Sequence, residues 1–60
     1  MKLVKFSISQ KAESYINPAF VTTVAAYGND KTVIYFHASN TPLVVLHDVE
    51  YVVSKLTEVI

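Results

Sequence analysis

Thr32-Val33-Ile34-Tyr35-Phe36-His37-Ala38, then Ser39-Asn40-Thr41-Pro42, then Leu43-Val44-Val45-Leu46-His47, and finally Asp48-Val49-Glu50-Tyr51-Val52-Val53-Ser54-Lys55-Leu56 is the stretch that decides the fold. It runs from an apolar, β-rich segment through a polar turn and a second apolar segment into an amphipathic helix. Val49, Val52, Val53, Leu56 and Ile60 fall on one stripe at helical spacing. Asp48 is the natural N-cap, because its carboxylate can accept from the backbone N–H of Glu50 or Tyr51 at the positive end of the helix dipole. The spacing predicts a helix from Asp48 to Val59 laid across a sheet.

The sheet strand before it is apolar on both sides. Alternation sends Val33, Tyr35 and His37 one way and Ile34 and Phe36 the other, and Leu43 to Leu46 repeats the two-faced pattern. One helix covers one face, so one face is left over. Continuing outward, Gly28-Asn29-Asp30 supplies residues that tolerate positive φ, predicting a tight hairpin back to Val21–Tyr27, which is β-branched at Val21, Thr22, Thr23 and Val24. Asn17-Pro18 turns the chain, and Pro18-Ala19-Phe20 makes one helical turn that drops Phe20 or Val21 into the core. Lys2 to Ser9 alternates, with Val4, Phe6 and Ile8 on its dry side. Gln10 to Ser14 is a hairpin connection or the start of a short strand through Tyr15 and Ile16.

The expected fold is therefore α+β, one domain over residues 1–60. It is a small antiparallel β-sheet of three to five strands with one C-terminal α-helix packed on one face. The expected core is Val4, Phe6, Ile8, Phe20, Val24, Ile34, Phe36, Val44, Leu46, Val49, Val52, Val53 and Leu56. The apolar end at Val59 and Ile60 reads as packed.

A chain of 60 residues buries only roughly 60% of its unfolded surface, and with Cys 0 it has no disulfide to reinforce it. The hydrophobic fraction of 52% and mean hydropathy of +0.35 are high for so much surface, which points to self-association. No apolar run approaches the ~20 residues that span a bilayer, and Met1-Lys2-Leu3-Val4-Lys5 lacks the apolar core of a signal peptide. A cytoplasmic protein without membrane contact is expected. A short, motif-free apolar chain of this kind also fits a phage-encoded protein.

From Tyr15 onward the chain resembles the FlbD-like family of small flagellar and swarming-motility proteins. The likeness is carried by Tyr15-Ile16-Asn17-Pro18-Ala19-Phe20-Val21, Thr32-Val33-Ile34-Tyr35-Phe36, Val44-Val45 and Asp48 to Leu56. The chain departs from that pattern at Ser39-Asn40-Thr41-Pro42, where the family has a glycine turn, and at Gln10 to Ser14, where it has a tighter hairpin. The resemblance implies a strand, an Asn-Pro turn, two strands and a capped helix, with no catalytic residue. The same order also looks like the second half of the LytTR-type DNA-binding domain, which implies DNA contact through basic residues. Here all five cations are lysines, and Lys2, Lys5, Lys11, Lys31 and Lys55 are scattered.

Chemistry-bearing patterns are sparse. His37 and His47 have no Cys and no carboxylate at ligand spacing, so no metal site and no cofactor are expected. The serines have no nucleophile-elbow setting, and Gly 1 excludes a phosphate-cradling glycine loop. The acidic residues read as turn, cap and solvated-helix groups, so no catalytic residue is assigned and an enzyme is not expected. The expected function is a non-enzymatic interaction or regulatory module that forms homo-oligomers and binds a protein partner. Its interface would be Tyr27, Val33, Tyr35, His37, Leu43 and Val45 on the uncovered sheet face, or a strand edge. The alternative is single-stranded RNA or DNA binding, with Tyr27, Tyr35 and His37 stacking bases beside Thr23.

Overall fold

A computed structural model describes residues 3–58. Strand β1 (Val4–Ser7) and strand β2 (Glu13–Ile16) form an antiparallel hairpin. The turn between them closes with Ile8 N–H donating to the Ala12 carbonyl at 3.0 Å, so residues 10–14 supply both the turn and the start of a strand. Val4 lies opposite Ile16, and both are buried with Phe6. The wet face carries Lys5, whose Nζ lies 3.7 Å from the Glu13 carboxylate in an exposed pair that contributes little to stability.

Asn17 then caps a single 3-10 turn, Pro18–Phe20, by accepting from the Ala19 N–H at 3.0 Å. The turn does not deliver Phe20 to the core. Its side chain is 56% exposed, and its carbonyl instead accepts from His37 N–H at 2.7 Å. Val21 packs against the core in its place.

Strands β3 (Val21–Ala26), β4 (Thr32–Phe36) and β5 (Leu43–Val45) form a second antiparallel sheet in that order. The β3–β4 hairpin turns through Gly28 at φ 67 and Asp30 at φ 59, the left-handed geometry its sequence requires. A bulge between Val21 and Thr23 adds a residue to β3. It allows Val21 and Val24, three positions apart, to lie opposite Phe36 and Ile34 and pack on the same side. Ala38, just after β4, is also left-handed at φ 61.

Helix α1 (Val49–Thr57) begins at Asp48, whose Oδ1 accepts from the Tyr51 N–H at 2.8 Å. Its inner stripe is narrower than the sequence spacing implies: Val52 and Leu56 are buried, while Val53 is 45% exposed. The helix ends at Thr57, short of the predicted Val59, with Glu58 as its C-cap donating its N–H to the Ser54 carbonyl at 3.2 Å. Val59, the packed end at Val59 and Ile60, and the predicted start of the first strand at Lys2 lie outside the described residues.

The described residues thus form a small α+β fold of five strands in two antiparallel sheets with one C-terminal helix. Val4, Phe6, Ile16, Ile34, Val45, Val52 and Leu56 form the core, with Ile8, Val21, Val24, Phe36 and Leu43 packed against it. The expected strand β5 is present but turned over. Ile34 lies opposite Leu43 and Thr32 opposite Val45, so Leu43 and Val45 face inward while Val44 faces out with Val33. Leu46, expected inside, is 38% exposed. Every residue of Leu43-Val44-Val45-Leu46 is apolar, so neither face of the run is marked for water, and a slip of one residue exchanges the two sets.

Candidate interaction surface

The two sheets meet at His47. Beyond the end of β5, Leu46 N–H donates to the Ser7 carbonyl at 2.8 Å, and the Ser7 N–H donates to His47 Nε2 at 3.1 Å. A ring nitrogen that accepts must be unprotonated, which places the proton of the neutral ring on Nδ1. The His47 carbonyl accepts from Thr32 Oγ1 at 2.8 Å, which satisfies the one fully buried hydroxyl of β4. The imidazole stacks on Tyr51 with centroids 4.4 Å apart and planes at 18°, and both rings lie against Phe6. His47 therefore joins β1, β4 and α1 and occupies the β5 side of the three-stranded sheet. Among the described residues no group of three or more potential ligands could hold a metal ion, and no cavity is present.

Helix α1 and the β1–β2 hairpin contribute to the same core as Ile34 and Val45, on one side of the β3–β4–β5 sheet. The register puts Thr23, Ala25, Val33, Tyr35 and Val44 on the other side. Tyr27 continues the ladder by donating its N–H to the Lys31 carbonyl at 3.0 Å, which keeps it in step with Thr23 and Ala25. His37 is in step with Tyr35, two residues on, and its N–H still bonds across to Phe20. Tyr27 is 56% exposed and Tyr35 is 42% exposed. Exposed backbone-mounted aromatics of this sort bury a large area on contact at small entropic cost.

Of the residues expected at an interface, Tyr27, Val33, Tyr35 and His37 share the outer face. Val33 lies beneath the others and is itself buried at 8% exposure. Leu43 and Val45 are not on that face: they point into the core, Val45 with no exposure at all, because of the turned register of β5. Val44 and Ala25 stand where those two were expected. The sequence gives no sign of Val44, which is one of four successive apolar residues. Ala25 could have been found by carrying the alternation back from Tyr27. Nothing in the sequence marks His47 as a joint between segments; its partner Ser7 is 40 positions away, and only the fold brings them together.

The electrostatics of this face are plain. Lys31 ends it, His37 stands near the other end, and no carboxylate lies between them in the register. No family model, no curated protein and no solved structure matches this chain. The fold and surface by themselves define a class: a small α+β protein with a helix and hairpin on one side of a three-stranded sheet and tyrosines on the other.

Proposed function

We propose that the chain is a non-enzymatic interaction module that self-associates through the outer face or a strand edge of its three-stranded sheet and binds a protein partner as a small cytoplasmic regulator or adaptor. The observation that carries this reading is that every packed element lies on the inner side, leaving Tyr27 and Tyr35 exposed over Ala25, Val33 and Val44. The resemblance to the FlbD-like family and the form of a phage-encoded protein both agree with a role exercised by contact rather than by chemistry. The test is sedimentation of Tyr35→Lys. A shift of the native oligomer toward monomer supports the face, and an unchanged mass overturns the face and leaves a strand edge as the route of association.

A second reading is favoured by one observation, the common step of Tyr27, Tyr35 and His37 along one sheet face. Such a row is able to stack the bases of single-stranded RNA or DNA. It predicts binding that weakens steeply with salt and disappears in the Tyr27→Ala, Tyr35→Ala double variant. A flat titration at low salt removes it. Scattered lysines and the lack of any arginine make it the lesser reading.

A further inference from the structure

We propose that the free edge of β3 pairs antiparallel with β3 of a second copy, joining two three-stranded sheets into one continuous sheet. This rests on the self-association proposed above and specifies how the copies meet.

The backbone of β3 defines the partner. The bond from Tyr27 N–H to the Lys31 carbonyl fixes the phase of the β3–β4 ladder. Antiparallel alternation then directs the main-chain groups of Thr23 and Ala25 toward β4 and those of Val24 and Ala26 away from it. On that outer side neither Val24 nor Ala26 has a main-chain or side-chain hydrogen-bond partner among the described residues. A row of donors and acceptors spaced by two residues is complementary to another extended strand.

The other edges are guarded and this one is not. Strand β2 carries the charged Glu13, and β5 is only three residues long, with Leu46 and His47 just beyond it bonded to Ser7 of β1. Val21–Ala26 contains no charge, no proline and no glycine, the features that ordinarily keep an edge from pairing. The bulge between Val21 and Thr23 bends only the first part of the strand.

A second copy fits in one register. Pairing Val24 with Ala26 of the other copy, in both directions about a twofold axis at Ala25, lets each pair exchange both of its N–H···O=C bonds. Ala25 then meets its own counterpart at the close, non-hydrogen-bonded position, where a small side chain fits. Thr23 meets Tyr27 on the outer face, and no like charges oppose each other. The two outer faces merge into one surface with Tyr27 and Tyr35 of both copies.

The chain has Cys 0, so a single introduced cysteine reports this geometry directly. Ala25→Cys puts two Cβ atoms about 4.5–5.5 Å apart across the axis, close enough to bridge with small adjustment. The expected result is a disulfide-linked dimer of Ala25→Cys under mild oxidation, with Thr23→Cys, which faces Tyr27, staying largely unlinked. Ala26→Pro removes one outward donor per copy and is expected to weaken association by at least about tenfold while the monomer stays folded. A native dimer in which Ala25→Cys fails to link, or links no better than Thr23→Cys, overturns the edge pairing and leaves self-association standing. A chain that sediments as a monomer at high concentration overturns both.

Discussion

The two edges of the three-stranded sheet are treated in opposite ways. On the β5 side, Leu46 and His47 bond to Ser7 and Thr32, and the His47 ring is held between Tyr51 and Phe6. On the β3 side, the outward groups of Val24 and Ala26 have no partner among the described residues. The contrast teaches how a chain with no disulfide spends its limited polar contacts. They tie Leu46 and His47, at the end of β5, to Ser7 where the two sheets are joined, while the longer β3 edge is left without such a tie among the described residues.

The comparison breaks most severely at Phe6, which is fully buried behind the closed edge and touches both His47 and Tyr51. Phe6→Ala should cost about 3–5 kcal/mol. A chain of 60 residues is stable by only about 3–9 kcal/mol. Circular dichroism of this variant should show a largely unfolded chain at 37 °C.

His47→Ala is next, with an expected loss of about 1–3 kcal/mol because it strands the Ser7 N–H and removes the stacked ring. Denaturant unfolding measures it, and a loss under about 0.5 kcal/mol, the size of an ordinary surface change, would show that the edge is closed by packing alone.

Asp48→Ala, which removes the acceptor of the Tyr51 N–H, should cost about 1 kcal/mol and loosen the ring that stacks on His47. Thermal melting reports the first effect and tyrosine fluorescence the second. Ala38→Gly should act in the opposite sense by about 1 kcal/mol, since the φ of 61 strains alanine and suits glycine in the turn that feeds β5.

The smallest effect belongs to the open edge. Ala26→Lys, at an exposed position, should change the stability of the monomer by no more than about 0.5 kcal/mol. A large loss there would mean that the β3 edge is already engaged within the chain.

Local signals were legible wherever one residue type meets one backbone requirement. Asp48 caps the helix, Asn17 caps the turn before β3, and Gly28 and Asp30 make the hairpin. Val4, Phe6, Val52 and Leu56 are legible as core because each lies in a segment where period 2 or period 3.6 separates dry from wet positions, and Ile34 because alternation sends it opposite the polar-tipped Tyr35 and His37. Ile16 was missed because β2 has too few residues to show a period, and Phe20 was misplaced because it shares a turn with the equally apolar Val21.

The candidate surface was half legible. Tyr27, Tyr35, His37 and Val33 follow from alternation along β3 and β4, whose register the glycine hairpin fixes. Leu43 and Val45 could not be separated from Val44, since a uniformly apolar run carries no phase.

By itself the sequence determined the class of fold, the capped helix, the β3–β4 hairpin and the existence of an apolar sheet face beyond the reach of a single helix. These rest on local backbone preferences and on periodicity, which act over a few residues. Only the tertiary structure decided which way β5 faces, that the β1–β2 hairpin joins the helix on the inner side, and that His47 closes one edge while the other stays open. Those depend on contacts between segments as distant as Ser7 and His47, and no local pattern encodes a partner 40 residues away.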